Sequence, residues 1–246
     1  MHFTRQHPSQ RGLSLLVVIV ILMLTLLMAL GASRTALFNT LIVGNEADYQ
    51  RTFDAAQALL QDAELDILGQ DAAGHACAPS ASDGKVCRRL GRVWFIDEEK
   101  DLTGLLALLQ AQPGAPCLQG ICARLTGTHD FWDDAALFAR MRQAGVAARY
   151  GEFTGAQSGH HSHPLLNTMA ANESGWYWVE VLPYAMGESR LLTPSASTSA
   201  STTATAPLSL HLNPAVVYRI TAIAQGLKPG TLVVLQSTLA RQKIKD

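Results

Sequence analysis

Three patterns of apolar and polar residues follow one another along the chain. From Leu13 to Ala32 twenty residues pass without a charge, and only Ser14 and Thr25 carry hydroxyls. At 1.5 Å per residue they form a helix of about 30 Å, the thickness of a bilayer's hydrocarbon core. From Tyr49 the apolar residues fall at Tyr49, Phe53, Ala56, Leu60, Ala63 and Ile67, a spacing that puts them on one helix face. Asp48, Arg51, Asp54, Gln61, Asp62, Glu64 and Asp66 supply the other face, which reads as solvated surface, and Gly69 suits a helix end. No proline stands between Pro8 and Pro79, so the two halves predict one helix from Leu13 to Leu68. Gly31 and Gly44 are its weak points, each costing about 1 kcal/mol relative to alanine. Its amphipathic half, 33–68, is expected either to pack on a sheet of its own domain or to pair with another copy in a coiled coil.

Past Gly69 the pattern becomes mixed. Residues 69–92 are a Gly-, Ala-, Ser- and Asp-rich loop, and Arg92 to Ile96 read as a short strand by their β-branched and aromatic content. Asp101 is placed to cap a helix from Leu102 to Gln110, stopped by Pro113-Gly114, and Asp133 to cap one from Asp134 to Arg149. The last third predicts strands at Trp176–Leu182, Ala215–Ile223 and Thr231–Ala240, with Lys228-Pro229-Gly230 turning the last two into antiparallel neighbours. Between the first two of these lies Pro194 to Pro207, almost wholly Ser, Thr and Ala, which cannot bury a core and reads as a flexible loop. The fold class expected is α+β: a long N-terminal helix packed on an antiparallel sheet. The divisions are a basic segment 1–12, a membrane-spanning helix 13–32, its amphipathic continuation 33–68, and a globular domain 69–246 with the loop 194–207.

Charge decides how the first segment is read. Arg5 and Arg11, with His2 and His7, precede the apolar run, and no acid appears before Glu46. That asymmetry keeps the amino terminus in the cytoplasm and sends the rest outward. A cleaved secretory signal is the alternative, with Ala29-Leu30-Gly31 as its small residues, but its apolar core usually spans only about 7 to 15 residues. The net charge of -1 over 246 residues, with Lys and Arg spread among the acids, excludes the clustered basic surface of a nucleic-acid binder. Cys77, Cys87, Cys117 and Cys122 all follow the apolar run, where disulfides form. Three pairings are open; the local set, Cys77 with Cys87 and Cys117 with Cys122, is preferred because each closes a Gly/Pro-rich loop. Zinc is the rival, though neither spacing is C-x-x-C.

The fragments that suggest catalysis fail on spacing. In Gly155-Ala156-Gln157-Ser158-Gly159 the serine stands one place too late for a nucleophile elbow. His160, His161 and His163 read as a solvated loop before they read as a metal site, and the adjacent Asp133 and Asp134 diverge on a helix. No phosphate loop, zincin motif or nucleotide fingerprint occurs, so the reading points to a non-catalytic protein with no metal and no cofactor.

A basic leader ending in glycine, an apolar helix continued by an amphipathic one, and then an antiparallel sheet resemble the type IV pilin-like proteins. The match is nearest to the PilX-like minor pilins of the type IV pilus. It is carried by Gln10-Arg11-Gly12 with Ser14-Leu15-Leu16-Val17-Val18, by Arg34-Thr35, Gly44-Asn45, Phe53 to Ala58 and Asp62-Ala63-Glu64, and by Tyr218 to Ala222 with Val233 to Ser237. The resemblance implies a cut by prepilin peptidase between Gly12 and Leu13, with methylation of the new terminus. It further implies extraction from the bacterial inner membrane, with the domain in the periplasm, into an extracellular fibre. Other minor pilins and a tip adhesin would be the partners. Most major pilins carry a glutamate at the fifth residue after the cut; here that position is Val17, which points to a priming role at the fibre tip. The alternatives are an uncleaved single-span binding protein and a tip pseudopilin of a type II secretion system.

Overall fold

The computed structural model describes residues 13–77, 85–88, 91–125, 130–157, 162–168, 174–184 and 214–241. The leader, the tract 194–207, Ser158, Gly159, His160 and His161 lie outside them. Helix α1 spans Leu13–Leu68, and the chain divides into two units, one ending at Asp48 and one beginning at Tyr49.

In the first unit the large apolar side chains from Leu15 to Leu30 are all exposed, Val17 at 46% and Met28 at 74%. This is the one stretch among the described residues long and apolar enough to cross a membrane. Its hydroxyls are turned inward along the helix: Thr25 donates to the Leu22 carbonyl at 3.0 Å and Thr35 to that of Gly31 at 3.1 Å. Such back-bonding satisfies a polar group without water.

The second unit is built on a five-stranded sheet, ordered β1 (Cys117–Leu118), β2 (Ile121–Cys122), β3 (Gly175–Pro183), β4 (Val216–Gln225) and β5 (Leu232–Leu239). All neighbours are antiparallel except β2 and β3, which run parallel with Ile121 opposite Val179. Strand β3 is buried on both faces. Tyr177, Val179 and Val181 join Ile220, Ala222, Ala224 and Val233 in a core shared with α1, through Ala55, Ala56, Leu59, Ala63 and Ile67. Trp176, Trp178 and Ile223 point to the other face, among Phe131, Met141, Ala147 and the Cys117–Cys122 bridge. There Phe131 meets Trp178 edge-on at 4.8 Å, and the Trp178 indole donates to the Met141 carbonyl at 3.1 Å.

Several expectations need correction. The face of α1 read as solvated is so only in part: Arg51, Asp54 and Gln61 are exposed, but Asp48, Asp62 and Asp66 are 3%, 2% and 6% exposed, and Tyr49, counted on the buried face, is 47% exposed. The buried stripe is rotated because polar partners for two of those acids lie inside the domain. Residues 92–96 form no strand. Val93, Phe95 and Ile96 are buried by side-chain packing, with Phe95 edge-on to Tyr218 at 5.5 Å, and the Arg92 N–H is taken by the Gln119 side chain at 3.0 Å. Helix α2 covers Leu102–Gln110, but it follows a 3-10 turn at Glu99–Asp101, and Asp101 makes no side-chain cap. Helix α3 is only Ala135–Met141, capped by Asp134, not Asp133, through the N–H groups of Ala136 and Leu137. It stops early because residues 144–148 are drawn into backbone bonds with the β1–β2 turn and β3: Gln119 N–H to Gly145 O, Gly120 N–H to Val146 O, and Ala148 with Tyr177. A fourth short helix, α4, spans Pro164–Thr168.

Candidate functional site

The sequence alone gives no reason to expect the arrangement at the C-terminal end of α1. Asp62 and Asp66 sit one turn apart on the buried face, because each lies seven residues after a buried position, Ala55 and Leu59. Across from Asp66 stands Arg88, 3% exposed, whose guanidinium makes a paired contact: Nε to Asp66 Oδ1 at 2.8 Å and the terminal nitrogen to Oδ2 at 2.5 Å. Its other terminal nitrogen donates to the Gln119 carbonyl at 3.1 Å, and the Tyr177 hydroxyl donates to Asp66 at 2.8 Å. The guanidinium plane also lies over the Phe153 ring at 3.8 Å and near that of Phe95 at 4.8 Å. Planar, delocalised and always charged, arginine suits this setting where lysine would not.

Asp62 holds a different element. It accepts from Gly151 N–H at 2.7 Å and from the Thr154 hydroxyl, and so fixes the turn 151–156. That turn carries Phe153 and Thr154, whose carbonyls take the N–H groups of Cys87 and Ala72 at 2.8 and 3.0 Å. Gly151 is required there: φ is 68°, and a Cβ would stand 2.2 Å from the Gln157 nitrogen. Burial pushes the Asp62 carboxyl up to about 7. The bonds from Thr154 and Gly151 oppose that rise, the nearby Asp66 adds to it, and Arg88 opposes it. Burial, with Asp66 and Asp62 nearby, also lifts Tyr177 well above the usual phenol range. Burial works against the charge of Arg88, but Asp66 outweighs it and raises the guanidinium further.

A second pair lies on the opposite sheet face. Glu180, 2% exposed, accepts from Nε and one terminal nitrogen of Arg219 at 2.6 and 2.8 Å and from the Leu125 N–H at 2.8 Å.

The residues singled out from sequence fall in several places. Leu13 begins α1, Val17 lies within the exposed apolar stretch, and Gly12 is outside the described residues. The cysteines form two separate bridges, Cys77–Cys87 with Cα atoms 5.6 Å apart and Cys117–Cys122 at 4.0 Å, the latter joining opposite residues of the β1–β2 hairpin. Among the described residues no cluster suited to a metal occurs. His163 is lowered by burial, and Asp54 partly offsets that. Asp134 is lowered by the Leu137 and Ala136 N–H groups that it caps.

Compared with known families, residues 118–241, just over half of the chain, match the family described as type IV pilus assembly protein PilX, C-terminal. The chain belongs to this family. No curated protein and no solved structure matches it. As a PilX-family protein it takes part in type IV pilus assembly. The matched region holds β2 to β5 and α3, together with Thr154 and Tyr177, whereas Asp62, Asp66 and Arg88 lie upstream of it. The buried polar cluster therefore ties the PilX region to the helix and to the turn at Cys87.

Proposed function

We propose that this chain is a minor pilin, cut between Gly12 and Leu13, that helps prime a type IV pilus and sits at its tip as a structural, non-catalytic subunit. The observation that carries the reading is α1 in a PilX-family chain: from Leu15 to Leu30 every large apolar side chain is exposed. A surface of that size needs lipid before assembly and other apolar helices after it. Inner-membrane residence followed by incorporation in a fibre supplies both. Val17 supports the tip position. A carboxylate buried in an apolar helix is costly alone and useful when paired. A subunit without one cannot neutralise the amino terminus of a neighbour, so it suits an end of the fibre better than a repeating place along it. Other minor pilins and a tip adhesin are its expected partners, and prepilin peptidase its processing enzyme.

Mass spectrometry of the native protein tests the first half: the mature chain should begin at N-methylated Leu13. A start at Met1 or near Ala32 would refute the reading. Immunogold labelling of sheared fibres tests the second half, with label confined to fibre ends as the expected result and regular label along the shaft as the refuting one.

A further inference from the structure

Cys87 and Arg88 are consecutive, and both hold left-handed backbone, at φ 62° and 52°. Side chains other than those of glycine and asparagine rarely stay there unless the surroundings impose it. Here contacts from several elements impose it. The Cys87 N–H is bound to Phe153 O at 2.8 Å, the Arg88 carbonyl accepts from the Trp94 indole at 3.2 Å and from Gly91 N–H at 2.8 Å, and the guanidinium reaches Asp66 and Gln119. The remaining restraint is covalent, the bond from Cys87 to Cys77. Of residues 78–86, which lie between these cysteines, Val86 is the one branched aliphatic, and it is half-buried.

The two bridges of the molecule differ in access. Cys117 and Cys122 are 2% and 0% exposed within the core of the outer sheet face, whereas Cys77 and Cys87 are only half-buried and border a cavity of about 150 Å³ with Asp66, Arg88 and Trp94. A thiol reagent therefore meets one bridge and not the other. Arg88 is also the basic side chain that pairs with the buried Asp66.

We propose that Cys77–Cys87 is a redox-operated latch: closing it seats Arg88 beneath the end of α1, and opening it withdraws Arg88 and leaves the buried Asp66 without its cation. In closure the two thiols form one S–S bond. Their two electrons and two protons pass to a disulfide-bearing oxidant, which leaves as its dithiol, and a dithiol reductant reverses the exchange. The sealed Cys117–Cys122 bridge keeps the sheet intact in both states.

The test uses the full chain in detergent micelles, treated with dithiothreitol under native conditions. Mass tagging should find thiols at Cys77 and Cys87 alone. Hydrogen exchange by NMR should show the Arg88 Nε–H protected in the oxidised protein and exposed after reduction, with the amides of Val179 and Ile220 protected in both. An Arg88 Nε–H that stays protected after reduction would overturn the proposal. So would loss of protection throughout the sheet, because the bridge would then hold the whole fold and not a latch. A double-mutant cycle supplies a second reading. Arg88→Met should raise the unfolding equilibrium constant about a thousandfold in the oxidised chain, as expected for breaking a buried pair. In the C77S/C87S background the same change should cost less than about a tenth of that factor. Equal effects in the two backgrounds would refute the coupling.

Discussion

Replacing Asp62 by asparagine isolates a pH dependence built into the buried cluster. The Asp62 carboxyl is 2% exposed and titrates at about 7 when folded, against an ordinary value of 3.8. Because the folded value is raised, the folded chain keeps a proton that the unfolded chain has already lost anywhere between those limits. The contribution of Asp62 to stability is therefore complete below the ordinary value, falls as pH climbs towards 7, and is level above it. The slope is about 1.4 kcal/mol per pH unit for one proton, so the interval from pH 5 to 7 removes about 2 to 3 kcal/mol. The amide of Asp62→Asn is neutral at every pH. Its oxygen accepts from Gly151 and its NH2 donates to the Thr154 hydroxyl, which is the pattern of the protonated acid. His163, lowered by burial, acts in the opposite sense and is common to both proteins, so it cancels in their difference. Urea midpoints followed by tryptophan fluorescence at pH 5, 6, 7 and 8 measure that difference. Relative to the variant, wild type should lose about 2 to 3 kcal/mol between pH 5 and pH 8. Parallel curves, or a wild type that gains on the variant as pH rises, would refute the reasoning.

Gly12→Val should leave the leader attached, because a β-branched residue hinders close backbone approach by the peptidase, and the intact mass should exceed that of the mature chain by the leader; normal processing would contradict it. Removing Cys117–Cys122 should cost about 2 kcal/mol from loop-closure entropy at a sequence separation of 5, and removing Cys77–Cys87 more than the about 2.7 kcal/mol that closure of its 10-residue separation gives alone, measured by urea unfolding of single-bridge variants. Gly120→Ala should destabilise the sheet edge by about 2 kcal/mol or more, since φ is 80° and the new Cβ would stand 2.3 Å from the Ala148 Cβ. Thermal melting checks this, and a variant within about 0.5 kcal/mol of wild type would show that the turn yields.

The parts of the fold legible in the sequence are those with a long period or a strong run. The apolar helix, α2 and β3 to β5 announce themselves through composition and turn residues, within two residues at most ends. What the sequence hides depends on partners far along the chain. Asp62 and Asp66 look like solvent-facing acids until Arg88, Thr154 and Tyr177 are brought to them, and none of these lies within a helical turn. The β1–β2 hairpin has only two residues per strand, too few to show alternation, and its turn at Gln119-Gly120 uses positive φ at both positions. Val93, Phe95 and Ile96 have strand composition because they are buried, and no ladder reaches them. The stop of α3 at Met141 carries no proline signal; it comes from the competing demand of residues 144–148 for backbone partners in the sheet.

The placing of β3 and β4 at the centre of the sheet bears on how the chain comes to fold during synthesis. These strands start at Gly175 and Val216, so for most of translation the buried stripe of α1 has no surface to cover. The parallel neighbour β2 has to wait as well, since Ile121 meets Val179 only after the whole crossover has emerged. Folding of the second unit is therefore a late event, completed when β5 is released, and until then Leu59, Ala63 and Ile67 are displayed to whatever is nearby. A chain of this plan depends on fast closure at its end. Truncation anywhere before β5 would leave the buried stripe of α1 without the completed sheet that covers it.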